Sequence, residues 1–189
     1  MESISNNLQP TKRAVWIALL TGASVLFSFA LACATPFPAL ATLAALHMRK
    51  RDAVALTAAA WLANQIIGYG FLHYPQTWDS FAWGGAIGCS ALAAALAAMA
   101  SEALARRAGW GIAMLSAFFS AFIAYEGILY ATAAVLPSEP SAFSMAIILR
   151  ILEINALAFA GFLVLHGIGR ALRLAPPREI EAMTSAKAA

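Results

Sequence analysis

The chain has 189 residues, of which 62% are hydrophobic, and a mean hydropathy of +0.76. Only 11% are charged, against ~25% in ordinary soluble domains, so a soluble fold of this size has no way to hide its apolar surface. The net charge of +3 comes from basic residues scattered between apolar runs, which argues against a nucleic-acid surface and for a membrane-topology signal.

In chain order, residues 1–12 are polar at first and end in Lys12. They read as a cytoplasmic N-terminal segment, and the apolar run that follows Arg13 is too long for a cleavable signal core. That run, 13–32, is long enough to cross a ~30 Å hydrocarbon layer. Its first half carries Ala14, Ala18 and Gly22 at four-residue spacing, a face on which another helix can approach closely.

The stretch Leu31–Pro38 interrupts the apolar pattern. Pro36 and Pro38 lack backbone donors and bias the residues before them toward extended geometry. The next apolar run, 38–48, meets Arg49-Lys50-Arg51 after a rise of only ~16 Å as helix. It crosses a bilayer only if the extended link covers part of the depth. Irregular backbone at that depth is stable where protein buries it or where it lines a cavity. Two readings therefore stand: Cys33–Pro38 walls a pocket open to the outer side, or it is a tight turn between tilted helices.

Four more apolar runs follow, at 52–72, 80–105, 110–136 and 143–172. The expectation is an all-α polytopic membrane protein of six transmembrane helices over 13–172, with a disordered cytoplasmic tail at 173–189. Eleven of the twelve basic residues fall between alternate runs, all but Arg150. By the positive-inside rule this puts both the N- and C-termini in the cytoplasm. Trp16 and Trp110 are expected at the inner interface, with His47 and His166 near it. Trp78 and Trp83 belong to an outer aromatic belt or to a cap over a pocket, together with the loop His73–Asp79.

Glu126, Arg150 and Glu153 lie inside apolar runs, where charges are costly and mark functional candidates. Counted from the connection between the last two runs, Glu126 and Arg150 sit at similar depth, ~12–16 Å below the surface. An ion-paired cluster of the three is expected, either fixing helix register or leaving one carboxylate to face water or a ligand. Spacing places Phe119, Ile123, Glu126 and Tyr130 on one face. Asn64, Gln65 and Tyr69 lie at comparable depth, and both sets suggest a pocket in the outer half with aromatic walls and a few hydrogen-bonding groups; Asn64 taken alone reads better as interhelical hydrogen-bonding glue. Cys33 and Cys89 admit three readings: inert core residues, a disulfide, or a soft ligand for a transition metal. No HExxH, GxSxG, aspartate pair or P-loop occurs, so no enzyme activity and no intrinsic cofactor are expected.

Six short helices with both ends cytoplasmic, a pocket near the outer face and the Ala14/Ala18/Gly22 stripe resemble the S-component of an energy-coupling factor vitamin transporter. In character the chain is most similar to the cobalamin-specific, BtuM-like S-components. The resemblance implies a multi-pass protein of a bacterial cytoplasmic membrane that binds a small-molecule vitamin. It also implies that Ala14, Ala18 and Gly22 contact a transmembrane T-component driven by ATPases, and that Cys33, or Cys89 instead, ligates the cobalt of bound cobalamin. The ligand set expected is Cys33, Thr35, Phe37, Tyr69, His73 and Tyr74, with Trp78, Asp79, Glu126, Tyr130, Arg150 and Glu153. Two other classes compete: a small ion- or proton-coupled carrier built on Glu126, Arg150 and Glu153, and a membrane scaffold that transports nothing.

Overall fold

The structure is a computed structural model that describes residues 2–30, 35–139, 141–172 and 174, with side chains from residue 11 onward and excluding 28–30. Cys33, the first half of the proline-rich link and the C-terminal tail lie outside the described residues. Six α-helices appear: α1 Glu2–Ala30, α2 Phe37–His47, α3 Lys50–Gly70, α4 Trp78–Ala105, α5 Trp110–Ala133 and α6 Met145–Ala171. No strand occurs among the described residues. The helix α1 starts well before Arg13, so the polar N-terminal residues continue the helix rather than preceding it.

Three helices, α4, α5 and α6, are long and apolar enough to cross a membrane. Their outward faces are as apolar as their inward ones: Leu96, Ile123 and Val164 are all at least 60% exposed. An exterior of this kind suits lipid and not water.

The short helix α2 sits at the centre. Every residue from Phe37 to Leu46 is buried, and α3, α4, α5 and α6 pack around it. Burying a helix N-terminus strands its first donors unless each finds a partner. Here each does. The Phe37 N–H donates to the Thr35 carbonyl (2.8 Å) and the Leu40 N–H to the Pro36 carbonyl (3.0 Å). Pro38 has no N–H to satisfy. The Ala39 N–H donates to Asn155 Oδ1 on α6 (3.2 Å), while Asn155 Nδ2 donates to the Ile151 carbonyl (3.0 Å). The proline pair thus removes one donor from a dry site, and a buried asparagine takes another.

Contacts fix the relative directions. Trp16 of α1 lies on Gly169 of α6, and Phe27 lies on Gly161, so α1 and α6 run antiparallel. Ala39 meets Asn155 and His47 meets His166, so α2 and α6 run parallel. Trp61 of α3 covers Gly88 of α4 and donates from Nε1 to the Gly84 carbonyl (2.8 Å), with Tyr69 farther along reaching Ser80. These two helices are antiparallel, and the pair Gly84/Gly88 is an interhelical contact as its spacing predicts. Successive helices therefore alternate in direction. The described basic residues Lys12, Arg13, Arg49, Lys50, Arg51, Arg106, Arg107 and Arg170 gather at one end of the bundle, and Arg150 stands apart.

At that basic end Trp16 is 1% exposed, against the expectation of an interfacial ring. It meets the buried His166 edge-on at 5.8 Å, and His166 stacks on His47 at 4.0 Å. Gly169 is what admits the indole, since a Cβ there would collide with it. Trp110, in contrast, is 60% exposed, as an interfacial anchor would be.

Candidate functional site

The end opposite the basic residues is hollow. A cavity of about 300 Å³ opens there between α2, α3, α4 and α5. The proline link supplies Thr35 and Phe37 at one wall, so the described end of that link does border a pocket. Asn64, Gln65 and Tyr69 of α3 form a second wall, Ser80, Trp83 and Ile87 of α4 a third, and Tyr125, Glu126 and Leu129 of α5 the fourth.

The turn after α3 explains how Tyr74 joins them. His73 adopts φ 56°, a left-handed conformation that reverses the chain. The Tyr74 N–H then donates to the Gly68 carbonyl (3.0 Å), and the ring lies against Gly68 and edge-on to Tyr69. A side chain at position 68 would meet the Tyr74 ring at 2.5 Å, so the glycine is required by the close approach.

Much of the wall's donor capacity is already engaged. Asn64 Nδ2 donates to Thr35 Oγ1 (2.6 Å), the Tyr69 hydroxyl to the Ser80 carbonyl (2.8 Å), and Trp83 Nε1 to the Pro137 carbonyl (2.9 Å). Asn64 therefore ties α3 to the proline link and also forms part of the cavity wall. The Trp83 bond ties the α5–α6 connection over the cavity's rim.

Glu126 is the exception to this satisfaction. It is 8% exposed, and its Oε1 is buried with no hydrogen-bond partner among the described residues. A buried carboxyl lacking partners costs several kcal/mol relative to a paired one, on the order of ~1–3 kcal/mol for the missing hydrogen bond alone. Among the described cavity-lining side chains there is no lysine, arginine or histidine.

Of the expected ligand set, Thr35, Phe37, Tyr69, Tyr74 and Glu126 border the cavity. Several others do not. The expected Glu126–Arg150 pair is not formed: Arg150 Nη1 binds Glu153 Oε2 at 3.0 Å, and these two side chains are 66% and 58% exposed on the outer flank of α6. The i,i+3 spacing lets α6 neutralise its own charges without reaching α5. Tyr130 is 67% exposed and packs edge-on against Phe143. The face proposed for α5 is split: Glu126 does point inward, beside Phe118, Phe122 and Tyr125, but Phe119, Ile123 and Tyr130 point outward. In the loop, His73 and Trp78 are exposed and neither they nor Asp79 border the cavity; only Tyr74 turns in.

Cys89 is a free, exposed thiol on α4 that does not border the cavity lined by Gly84 and Ile87, so it is not placed to ligate a ligand there. Cys33, the other thiol assigned to cobalt, lies outside the described residues. No group of three or more metal-ligating side chains occurs among the described residues. Ala14, Ala18 and Gly22 border an open groove between α1 and α3, completed by Ala55, Ala59 and Ala63.

Trp83 and Tyr125 are wall residues that sequence reading did not assign to the ligand, whereas Gln65 was expected near a pocket and does line it. Tyr125 carried a signal, as the neighbour of Glu126. Trp83 carried only its outer position. No family model, no curated protein sequence and no solved structure matches the chain.

Proposed function

We propose that the protein is the substrate-binding membrane component of a small-molecule uptake system, entered from the end opposite its basic residues. The observation that carries this reading is Glu126: a buried, unpartnered carboxyl in the wall of an aromatic-lined cavity. Core packing alone gives no reason to retain such a group, whereas ligand sites combine apolar walls with a few placed polar groups. The cavity lies at the lower end of the ~300–1,000 Å³ range typical of ligand pockets. That size supports a compact vitamin-like compound over a corrinoid, which is several times larger.

Six crossings with both termini cytoplasmic are part of the proposal. The alternation of helix directions and the gathering of basic residues at one end support it. So does α2, whose fully satisfied N-terminus lets a short helix start at depth. Transport requires either reorientation in the bilayer or an ATP-driven partner, for which the α1–α3 groove bordered by Ala14, Ala18 and Gly22 is the proposed docking face. A second reading, a proton-coupled carrier, is favoured by the same lone carboxyl. It no longer includes Arg150 and Glu153, which pair on the outer flank.

Two measurements test this. Reporter fusions after Met48 and Arg107 should report cytoplasm, and fusions near Gln76 and Ser138 the outer side; one inverted fusion breaks the topology. Purified protein should gain thermal stability with at least one of a panel of water-soluble vitamins, cobalamin included, by the mass-action term RT ln(1 + [L]/Kd). The cavity-filling change Leu129→Trp should remove that gain. If no compound shifts the melt, the binding reading fails. If a shift occurs only as a pH-dependent proton flux develops in vesicles, the carrier reading replaces it.

A further inference from the structure

We infer that the cavity selects an organic cation: a compact, flat ring bearing an ammonium or similarly protonated nitrogen. The inference rests on reading the cavity as a binding site and goes on to name the ligand's chemical class. Three observations converge on it.

First, the charge in the wall has one sign. Among the described residues Glu126 is the one lining carboxyl, and no basic side chain lines the cavity with it. An anionic ligand, whether carboxylate or phosphate, would be buried beside a like charge with nothing to neutralise it. A cation restores neutrality in the buried site. Second, the walls are rings. Phe37, Tyr69, Tyr74, Trp83 and Tyr125 all border the space. The faces of such rings carry negative potential and attract cations within about 6 Å of the centroid, most strongly when the site is desolvated.

Third, one acceptor in the wall stands without a donor. Donors of Asn64, Tyr69 and Trp83 point into the protein's own carbonyls and hydroxyls. Glu126 Oε1 is left as a buried acceptor with no donor among the described residues. A ligand that brings an N–H supplies that atom with one. Arg150, the one described lysine or arginine near this end, does not serve, because it is bound to Glu153 on the outer flank of α6.

The test compares three near-isosteric probes on the full chain in nanodiscs by titration calorimetry: benzylamine, benzyl alcohol and benzoate. In the wild type, benzylamine should bind about tenfold or more tightly than benzyl alcohol, and benzoate should not bind. Glu126→Gln, which keeps the shape and removes the charge, should bring benzylamine down to the level of benzyl alcohol. Unchanged benzyl alcohol binding shows that this variant is folded. Leu129→Phe, which fills the cavity, should weaken both. Equal binding of all three probes, or a benzylamine affinity unmoved by Glu126→Gln, overturns the cation inference and leaves the cavity reading standing. If none of the probes binds the wild type, or if benzylamine binding survives Leu129→Phe, both fall.

Discussion

The two ends of the bundle solve the same packing problem in opposite ways. At the basic end, aromatic and imidazole rings pack into one another: Trp16 sits over Gly169 and meets a stack of His166 on His47. At the other end a larger set of rings leaves about 300 Å³ open. Tyr69 stacks on Phe81 at 4.8 Å and Phe37 tilts against Tyr125 at 5.9 Å, so the rings pack against one another around the space and do not close it. The difference lies in what stands among the rings. At the closed end the Trp16 indole seats against Gly169 and the imidazoles, whereas at the open end Asn64, Gln65, Ser80 and Glu126 stand among the rings that line the space. Glu126 Oε1 there is a buried acceptor with no partner among the described residues.

Substitutions at each end should break that contrast with decreasing force. The largest effect is expected at the closed end. Trp16→Ala should cost about 3–5 kcal/mol by leaving a cavity among buried groups. Gly169→Ala should also destabilise, by about 1–3 kcal/mol of overpacking, since its new Cβ collides with the indole. The two changes should be non-additive, because removing the indole makes room for the methyl group. Additive detergent melts would show that the ring does not depend on the glycine.

A middle effect is expected where the cavity end meets the core. Asn155→Leu removes the acceptor for the Ala39 N–H at the buried start of α2, and should cost about 1–3 kcal/mol. Asn155→Asp, which keeps an acceptor oxygen, should be milder if that bond is what matters. Equal losses for the two variants would assign the role to packing.

The smallest change in stability, and one of opposite sign, is expected at Glu126. Glu126→Leu removes a buried acceptor without a partner and should leave melting unchanged or raise it by up to about 1–2 kcal/mol, while abolishing ligand binding. A large destabilisation would mean that the carboxyl is structural and the contrast between the two ends is false.

Much of this arrangement was legible in the chain. The apolar runs predict the helices to within a few residues apart from the start of α1, which lies eleven residues before Arg13, and Pro36-Phe37-Pro38 marks the start of a short buried helix. Glu126 stands out because a carboxyl inside an apolar run needs a reason. The alternation of basic residues predicts which helix ends share a side.

Orientation about each helix axis was decided only by the tertiary structure. In a water-soluble helix the polar face points outward, so the pattern has a sign. Here the outward faces are as apolar as the inward ones, so Phe119 and Ile123 looked as suitable for the interior as Phe118 and Phe122. One residue is a rotation of about 100°, enough to turn a wall into an exterior. The same ambiguity hid Trp16 in the core and put Arg150 with Glu153 on the outer flank. Which side of a helix is inside depends on where small residues let a neighbour approach, as Gly169 and Gly88 do for Trp16 and Trp61. That is a property of pairs of helices, and a single run of sequence does not contain it.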